Sequence, residues 1–282
     1  KTEYGSPITL PKGWQFLHID TPPDCDANPA VDSDEYVGLV PPAVSFDSVQ
    51  SGLDTERSMR KEMEGWRVSP AEYPFALVNG AGQFRAIGKT VALQYRETIK
   101  QEISKCYKNL EDSTAKSELM SLYSKILEKP SDGISPLRIV IVSSLAGGTG
   151  AGLLLTVSDI IRALNTESSD DIFAVLYTPD VFGTGGNYAG TSPNSIAAVS
   201  ELVNGYWWGG YGAPSEENAK TMHPPEKAPG SLSSIGLPSP IPASGPRMPF
   251  LVGLTNEQGV NHGDKDTLFS IVGRALMTWT TD

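Results

Sequence analysis

The chain has 282 residues, 39% of them hydrophobic and 20% charged, and its 33 acids outnumber 22 bases for a net charge of −11. That composition excludes a disordered chain and allows one large α/β domain or two smaller ones. So acidic a surface argues against nonspecific binding to nucleic acid or anionic membranes, and no apolar run reaches the length of a bilayer span. Cys25 and Cys106 are the only cysteines, and His18, His223 and His262 share no ligand spacing, so neither a disulfide framework nor a zinc site is expected. The cytoplasm is the expected compartment.

The first element is WQFLHID (Trp14 to Asp20), a strand in which His18 reads as a packed or surface residue. The acidic, proline-containing loop that follows reads as solvated surface. DTERSMRKEMEGW (Asp54 to Trp66) has the look of a short polar helix. FALVNGAGQFRAIGK begins as a strand and turns through glycines into a long helix, on one face of which stand Val91, Tyr95, Ile99, Ile103, Cys106 and Leu110. Leu119, Leu122, Tyr123, Ile126 and Leu127 mark a second helix, stopped by Pro130.

LRIVIVS (Leu137 to Ser143) is β-branched and apolar throughout, as a central parallel strand covered on both faces would be. After it come a glycine loop, the helix GLLLTVSDIIRAL, the buried strand IFAVLYTPD and the helix SPNSIAAVSELVNGYWW, with Pro193 suited to its first turn. From Tyr211 to Pro249 the composition shifts to Pro, Gly and Ser, which predicts a flexible surface insertion in a single domain spanning residues 1–282. PFLVGL and KDTLFSIVGRALMTW add a strand and a helix. Strands alternating with helices predict a Rossmann-like α/β fold, a parallel sheet with helices on both faces.

The stretch SSLAGGTGAGLLL (Ser143 to Leu155) carries four glycines in six positions, more than a tight turn requires. An apolar strand, then AGGTGAG, then a helix, suits an anion cradle at the helix N-terminus, with Thr149 adding a hydroxyl. The dinucleotide fingerprint fails, because Gly148 and Gly150 would require glycine at Leu153. No acid follows at the usual distance either, unless Asp180, at the end of the next strand, serves. GQFRAIGKT ends in the Gly-Lys-Thr of a P-loop, but five residues rather than four separate its glycines, so it reads as a decoy.

AGGTGAG resembles the Gly-Gly-Gly-Thr-Gly-Ser/Thr-Gly signature of the tubulin/FtsZ superfamily. Ala146 replaces the first glycine and Ala151 the small residue, while Gly147, Gly148, Thr149, Gly150 and Gly152 match. GAGQFRAIGK looks like that family's second phosphate loop, with Gly80, Ala81, Gly82 and Gln83 at the phosphate side. FLHIDTPP is similar to the strand whose terminal aspartate, here Asp20, lies near magnesium and the phosphates; Pro22 and Pro23 stand where tubulins can carry a glutamate. SPNSIAAVSEL and LTNEQG resemble the two segments whose asparagines meet guanine, which assigns Asn194 and Asn256.

The divergence and the insertion look most like a bacterial tubulin-like protein. KTEYGSPITLPKG looks like the end of the helix that follows the family's first strand and glycine loop, and the chain ends at the central helix. The resemblance implies GTP or GDP with Mg²⁺, head-to-tail self-association into filaments, and hydrolysis completed by an acid from a neighbouring subunit, so that this chain alone would be inactive. A nucleotide-binding scaffold that neither polymerises nor hydrolyses is the alternative.

Overall fold

The computed structural model describes residues 11–25, 31–73, 76–126, 137–164, 172–183, 189–208, 230–238 and 245–281. Among the described residues, five strands form two parallel sheets. In the first, β1 (His18–Asp20) pairs with β2 (Tyr36–Gly38), His18 opposite Tyr36. The second runs β3 (Ile139–Ser144), β4 (Ile172–Tyr177), β5 (Met248–Val252), with Ile139 opposite Ile172 and Phe173 opposite Met248.

The helices are α1 (Phe46–Asp54), α2 (Arg57–Glu62), α3 (Arg85–Gln94), α4 (Arg96–Glu111), α5 (Ser113–Ile126), α6 (Gly148–Leu164), α7 (Thr191–Trp208), α8 (Gly230–Ser234) and α9 (Lys265–Thr281). Local chemistry starts several of them. Ser45 Oγ accepts from Ser48 N at 3.2 Å ahead of α1, Asp112 Oδ1 from Thr114 N at 2.8 Å ahead of α5, and Asp264 Oδ1 from Thr267 N at 2.8 Å ahead of α9. The Thr114 hydroxyl, helped by the Ala115 and Thr114 amides, holds the Asp112 carboxyl below the usual aspartate range, and the Thr267 amide does the same for Asp264.

Helices cover both faces of the larger sheet, so the chain has the expected Rossmann-type α/β architecture. Ala174 and Leu176 point from β4 into a cluster with Leu154 of α6 and Ala198 and Leu202 of α7. Their neighbours Val175 and Tyr177 point the other way, against Leu268, Val272 and Leu276 of α9. A larger core joins α1, α3, α4 and α6 through Phe46, Val49, Ile87, Val91, Ile99 and Ile160.

Three expectations need correction, and a fourth lies mostly outside the described residues. The strand buried from both sides is β4; among the described residues β3 pairs on one edge only, and Val142 is 52% exposed. In FALVNGAG, Phe75 lies outside the described residues and Leu77–Asn79 is a 3₁₀ turn, because Leu77 alone of that turn is buried and Gly80, at φ +91°, redirects the chain at once. The single long helix is two, α3 and α4, broken at Tyr95. There Arg96, almost wholly buried, donates at 2.6 Å to Leu93 O, the carbonyl an unbroken helix would pair with Glu97 N.

The fourth concerns the Pro/Gly/Ser-rich stretch. Its residues 211–229 and 239–244 lie outside the described residues, but 230–238 and 245–249 pack as part of the domain. Leu232 and Ile235 are buried in the large core, and Lys100 Nζ and Arg96 Nε reach Ile235 O and Ser234 Oγ at 2.7 and 2.9 Å. Asp159 accepts from Gly245 N at 2.9 Å, and Arg247 N extends the sheet's bonding to Ile172 O. Composition signalled a loop; two well-spaced apolar residues anchor it.

Candidate functional site

The loops of the glycine signature, Asp20, Asp180 and Asn256 follow C-terminal ends of parallel strands, where α/β sheets open onto a crevice, whereas the Gly80–Gln83 loop follows the 3₁₀ turn Leu77–Asn79. After β1, Asp20 Oδ1 accepts from Thr21 N at 2.6 Å, and the fully buried Thr21 places its hydroxyl 3.0 Å from that of Thr149. This pair of hydroxyls ties the end of the smaller sheet to the glycine loop. After β4, Asp180 accepts from Leu254 N at 2.8 Å and from the Thr178 hydroxyl, bracing the exit of β5. After β5, Asn256 Oδ1 accepts from Gln258 N and Val260 N at 3.1 and 2.9 Å, building a turn closed by the Thr255–Asn261 bridge.

The glycine loop runs from Leu145 into the first turn of α6, whose end presents N–H groups and the positive end of the helix dipole. What approaches these glycines so closely is, first of all, the protein itself. A Cβ on Gly148 would lie 2.6 Å from Ala81 O and 2.8 Å from Gly82 O; one on Gly152 would meet Lys89 N at 2.6 Å and Arg85 O at 2.7 Å. Gly88, in the middle of α3, meets Gly148 O and the Thr149 backbone in return. Gly88, Gly148 and Gly152 therefore let α3 cross α6 backbone to backbone. Gly150 faces β3, where a Cβ would lie 2.8 Å from Ser144 O. None of these four has positive φ.

Gly147 differs. Nothing lies within 4 Å of the position its Cβ would take. The neighbouring amides are committed: Leu145 N donates to Tyr177 O at 2.9 Å, Ala146 N to Ser144 Oγ at 3.0 Å and Gly148 N to Gly82 O at 2.7 Å. From Leu145 to Gly148, only the Gly147 N–H lacks an acceptor among the described residues.

The second loop sits against the first. Gly80 (φ +91°) and Gly82 (φ +55°) adopt left-handed backbone, Ala81 is buried, and Gln83 Oε1 accepts from Gly190 N at 3.1 Å. Asn194, in the first turn of α7, is 8% exposed; its Nδ2 donates to Gln83 O at 2.8 Å and to Ala146 O at 2.9 Å. The sequence candidates Gly80, Ala81, Gly82, Gln83, Asn194 and the glycine loop thus meet at one junction, with Asp20 joined to it through Thr21. Asp180 and Asn256 belong to the neighbouring β4 and β5 exits.

Sequence reasoning did not single out Arg85 and Glu201, a two-pronged ion pair that locks α3 to α7 while Arg85 Nε donates to Ala151 O at 3.1 Å. Burial alone would raise the Glu201 carboxyl, but the hydrogen bond from Arg85 and the charges of Lys89 and Arg85 outweigh it and hold the group below its ordinary range. Lys89, the lysine of the false P-loop, lies 3.4 Å from Glu201 and over the Trp66 ring, so its role is in packing α3. Gly88, which the sequence offers only as a glycine of the false P-loop, serves instead to let α6 approach the α3 backbone.

Such an arrangement, a parallel α/β domain with two glycine loops meeting beside the C-terminal strand ends, defines a Rossmann-type α/β class. A family model described as tubulin-like matches residues 1–282, and the chain belongs to that family. No curated protein and no solved structure matches it. Among the described residues no helix is long and apolar enough to cross a membrane, and no three His, Cys, Asp or Glu side chains gather as a metal cluster.

Proposed function

We propose that this chain is the nucleotide-binding domain of a cytoplasmic, filament-forming tubulin-like protein that takes GTP or GDP with Mg²⁺. The observation that carries the reading is the uncommitted N–H of Gly147, with open space beside it, at the N-terminus of α6. A phosphate seated there receives that amide and the helix dipole. Gly80 and Gly82 bring the second loop alongside without side chains in the way, and the Thr149 hydroxyl adds a donor.

The donor set also fits Mg²⁺. That ion keeps most of its water and uses one or two carboxylates plus phosphate oxygens, so Asp20 beside the Thr21 and Thr149 hydroxyls suffices without a protein cage. Bound there, Mg²⁺ would offset phosphate charge. For the base, Asn256 is the candidate reader: its Oδ1 holds the turn, and its NH₂ has no partner among the described residues. An amide donor matches the O6 acceptor of guanine and opposes the amino group of adenine. Head-to-tail assembly, with an acid from the next subunit completing hydrolysis, follows the family pattern.

Calorimetric titration of the full chain with GTP, GDP and ATP tests the reading. Guanine nucleotides should bind more tightly than ATP, and Gly147→Asp should abolish binding at unchanged melting temperature, because its carboxylate repels phosphate. Wild-type affinity in that variant would refute the cradle. Light scattering that rises on GTP addition supports assembly, whereas binding without scattering favours the scaffold.

A further inference from the structure

We propose that Asn194 is a positioning residue for phosphate rather than a contact to the base. The inference rests on the nucleotide reading and reassigns one residue within it. Two carbonyl oxygens flank the Asn194 amide at 2.8 and 2.9 Å, one from each glycine-bearing loop. Only the NH₂ end of a carboxamide can serve two carbonyls, so the amide's orientation is fixed and both its hydrogens are spent. Turning it toward a base would break both of these bonds at a junction where Asn194 and Ala146 are buried.

The bond to Ala146 O has a second effect. Ala146 C=O and Gly147 N–H belong to one planar peptide unit and point in opposite directions when it is trans. Holding the carbonyl toward the buried Asn194 turns the Gly147 N–H away from the junction. Among the described residues, that N–H is the uncommitted donor of residues 145–148. Asn194 thereby sets the direction of the amide offered to phosphate, without touching the ligand.

Three further contacts stiffen the clamp. Ser195 Oγ donates to Leu145 O at 3.0 Å, Gly190 N to Gln83 Oε1 at 3.1 Å and Gly148 N to Gly82 O at 2.7 Å. The start of α7 thus holds both loops in one register. Gly190 is part of the fit, since a Cβ there would press on Gln83 at 3.1 Å.

The test uses the full chain and Asn194→Ala, with Asn194→Ser, which keeps one donor, as the second variant should alanine fail to fold. Each is titrated with pyrophosphate, guanosine, GTP and ATP. Affinity for pyrophosphate, GTP and ATP should fall together by about tenfold, the worth of one aligned hydrogen bond to an anion, at an unchanged GTP-to-ATP ratio and unchanged guanosine affinity. Loss of guanosine affinity with pyrophosphate unaffected would make Asn194 a base reader and overturn the proposal, as would unaltered affinity for every probe. The ¹⁵N–¹H resonance of Gly147, recorded without ligand, should shift in the variants; an unmoved resonance overturns the clamp. A wild-type chain that binds no nucleotide refutes the parent reading, and the Gly147 resonance then still decides the clamp.

Discussion

Replacing Gly148 by alanine sets one methyl group against three backbone atoms: Ala81 O at 2.6 Å, Gly82 O at 2.8 Å and Phe84 N at 2.9 Å. Real methyl carbons do not come that close, and backbone cannot swing aside as a side chain can, so α3 and its loop must move off α6. The movement also strains the 2.7 Å bond from Gly148 N to Gly82 O. Overpacking of this kind costs about 1–3 kcal/mol and a weakened buried hydrogen bond about 1 kcal/mol more, which together suggest about 3 kcal/mol. In a chain of this size that lowers the melting temperature by about 6–12 °C. Gly147→Ala, one residue away, meets nothing and has no positive φ to lose, so it should lie within about 0.5 kcal/mol of wild type or slightly above it. Thermal denaturation by circular dichroism of the two variants side by side measures the difference. A Gly148→Ala protein that melts with wild type while Gly147→Ala falls would refute the assignment of these glycines to packing.

Leu232→Ala, in the helix that closes over the large core, should cost about 2–5 kcal/mol in denaturant unfolding, as for other buried leucines; a change under 0.5 kcal/mol would show that residues 230–238 do not dock. Because Glu201 is held below its ordinary value of 4.5, the unfolded chain takes up that proton first, so the pair's contribution is present above that pH and fades as pH falls through the lower, folded value. Glu201→Gln should flatten that acid limb of the stability profile, and an unchanged limb would count against it. Gln50, 1% exposed, has neither amide atom paired among the described residues, so Gln50→Leu should leave stability unchanged or raise it by about 1–2 kcal/mol; a loss beyond 2 kcal/mol in urea unfolding would reveal a bound partner such as water.

The alternation of strands and helices was legible because period and length carry it. IFAVLY and GLLLTVSDIIRAL read as a buried strand and a buried helix, and they are β4 and α6. Boundaries set by tertiary contacts were not legible. The pattern of Val91, Tyr95, Ile99 and Ile103 is continuous in sequence, and the break at Tyr95 arises from a buried guanidinium whose partners Glu56 and Ser234 lie 40 and 138 residues away. The proposed site reads in the sequence as two glycine loops and a handful of polar residues, but their division of labour does not. Nothing in AGGTGAG distinguishes Gly147, facing open space, from Gly148, facing Ala81. Likewise an asparagine at a helix start reads as a cap or a ligand contact, and only the carbonyls brought to it from residues 83 and 146 reveal a clamp.

The backbone-to-backbone crossing of α3 and α6 bears on how such a motif endures. Gly88, Gly148 and Gly152 are required by the shape of the domain whether or not a ligand ever arrives. On the proposed nucleotide reading, a descendant that no longer bound the ligand would keep these three through selection for folding alone, and the glycine signature would remain readable after binding had gone. Gly147 is under no such constraint from packing, and its replacement by a bulky or acidic residue would be the first visible mark of that loss. Within the signature, the residue that reports on binding is the one the fold does not need.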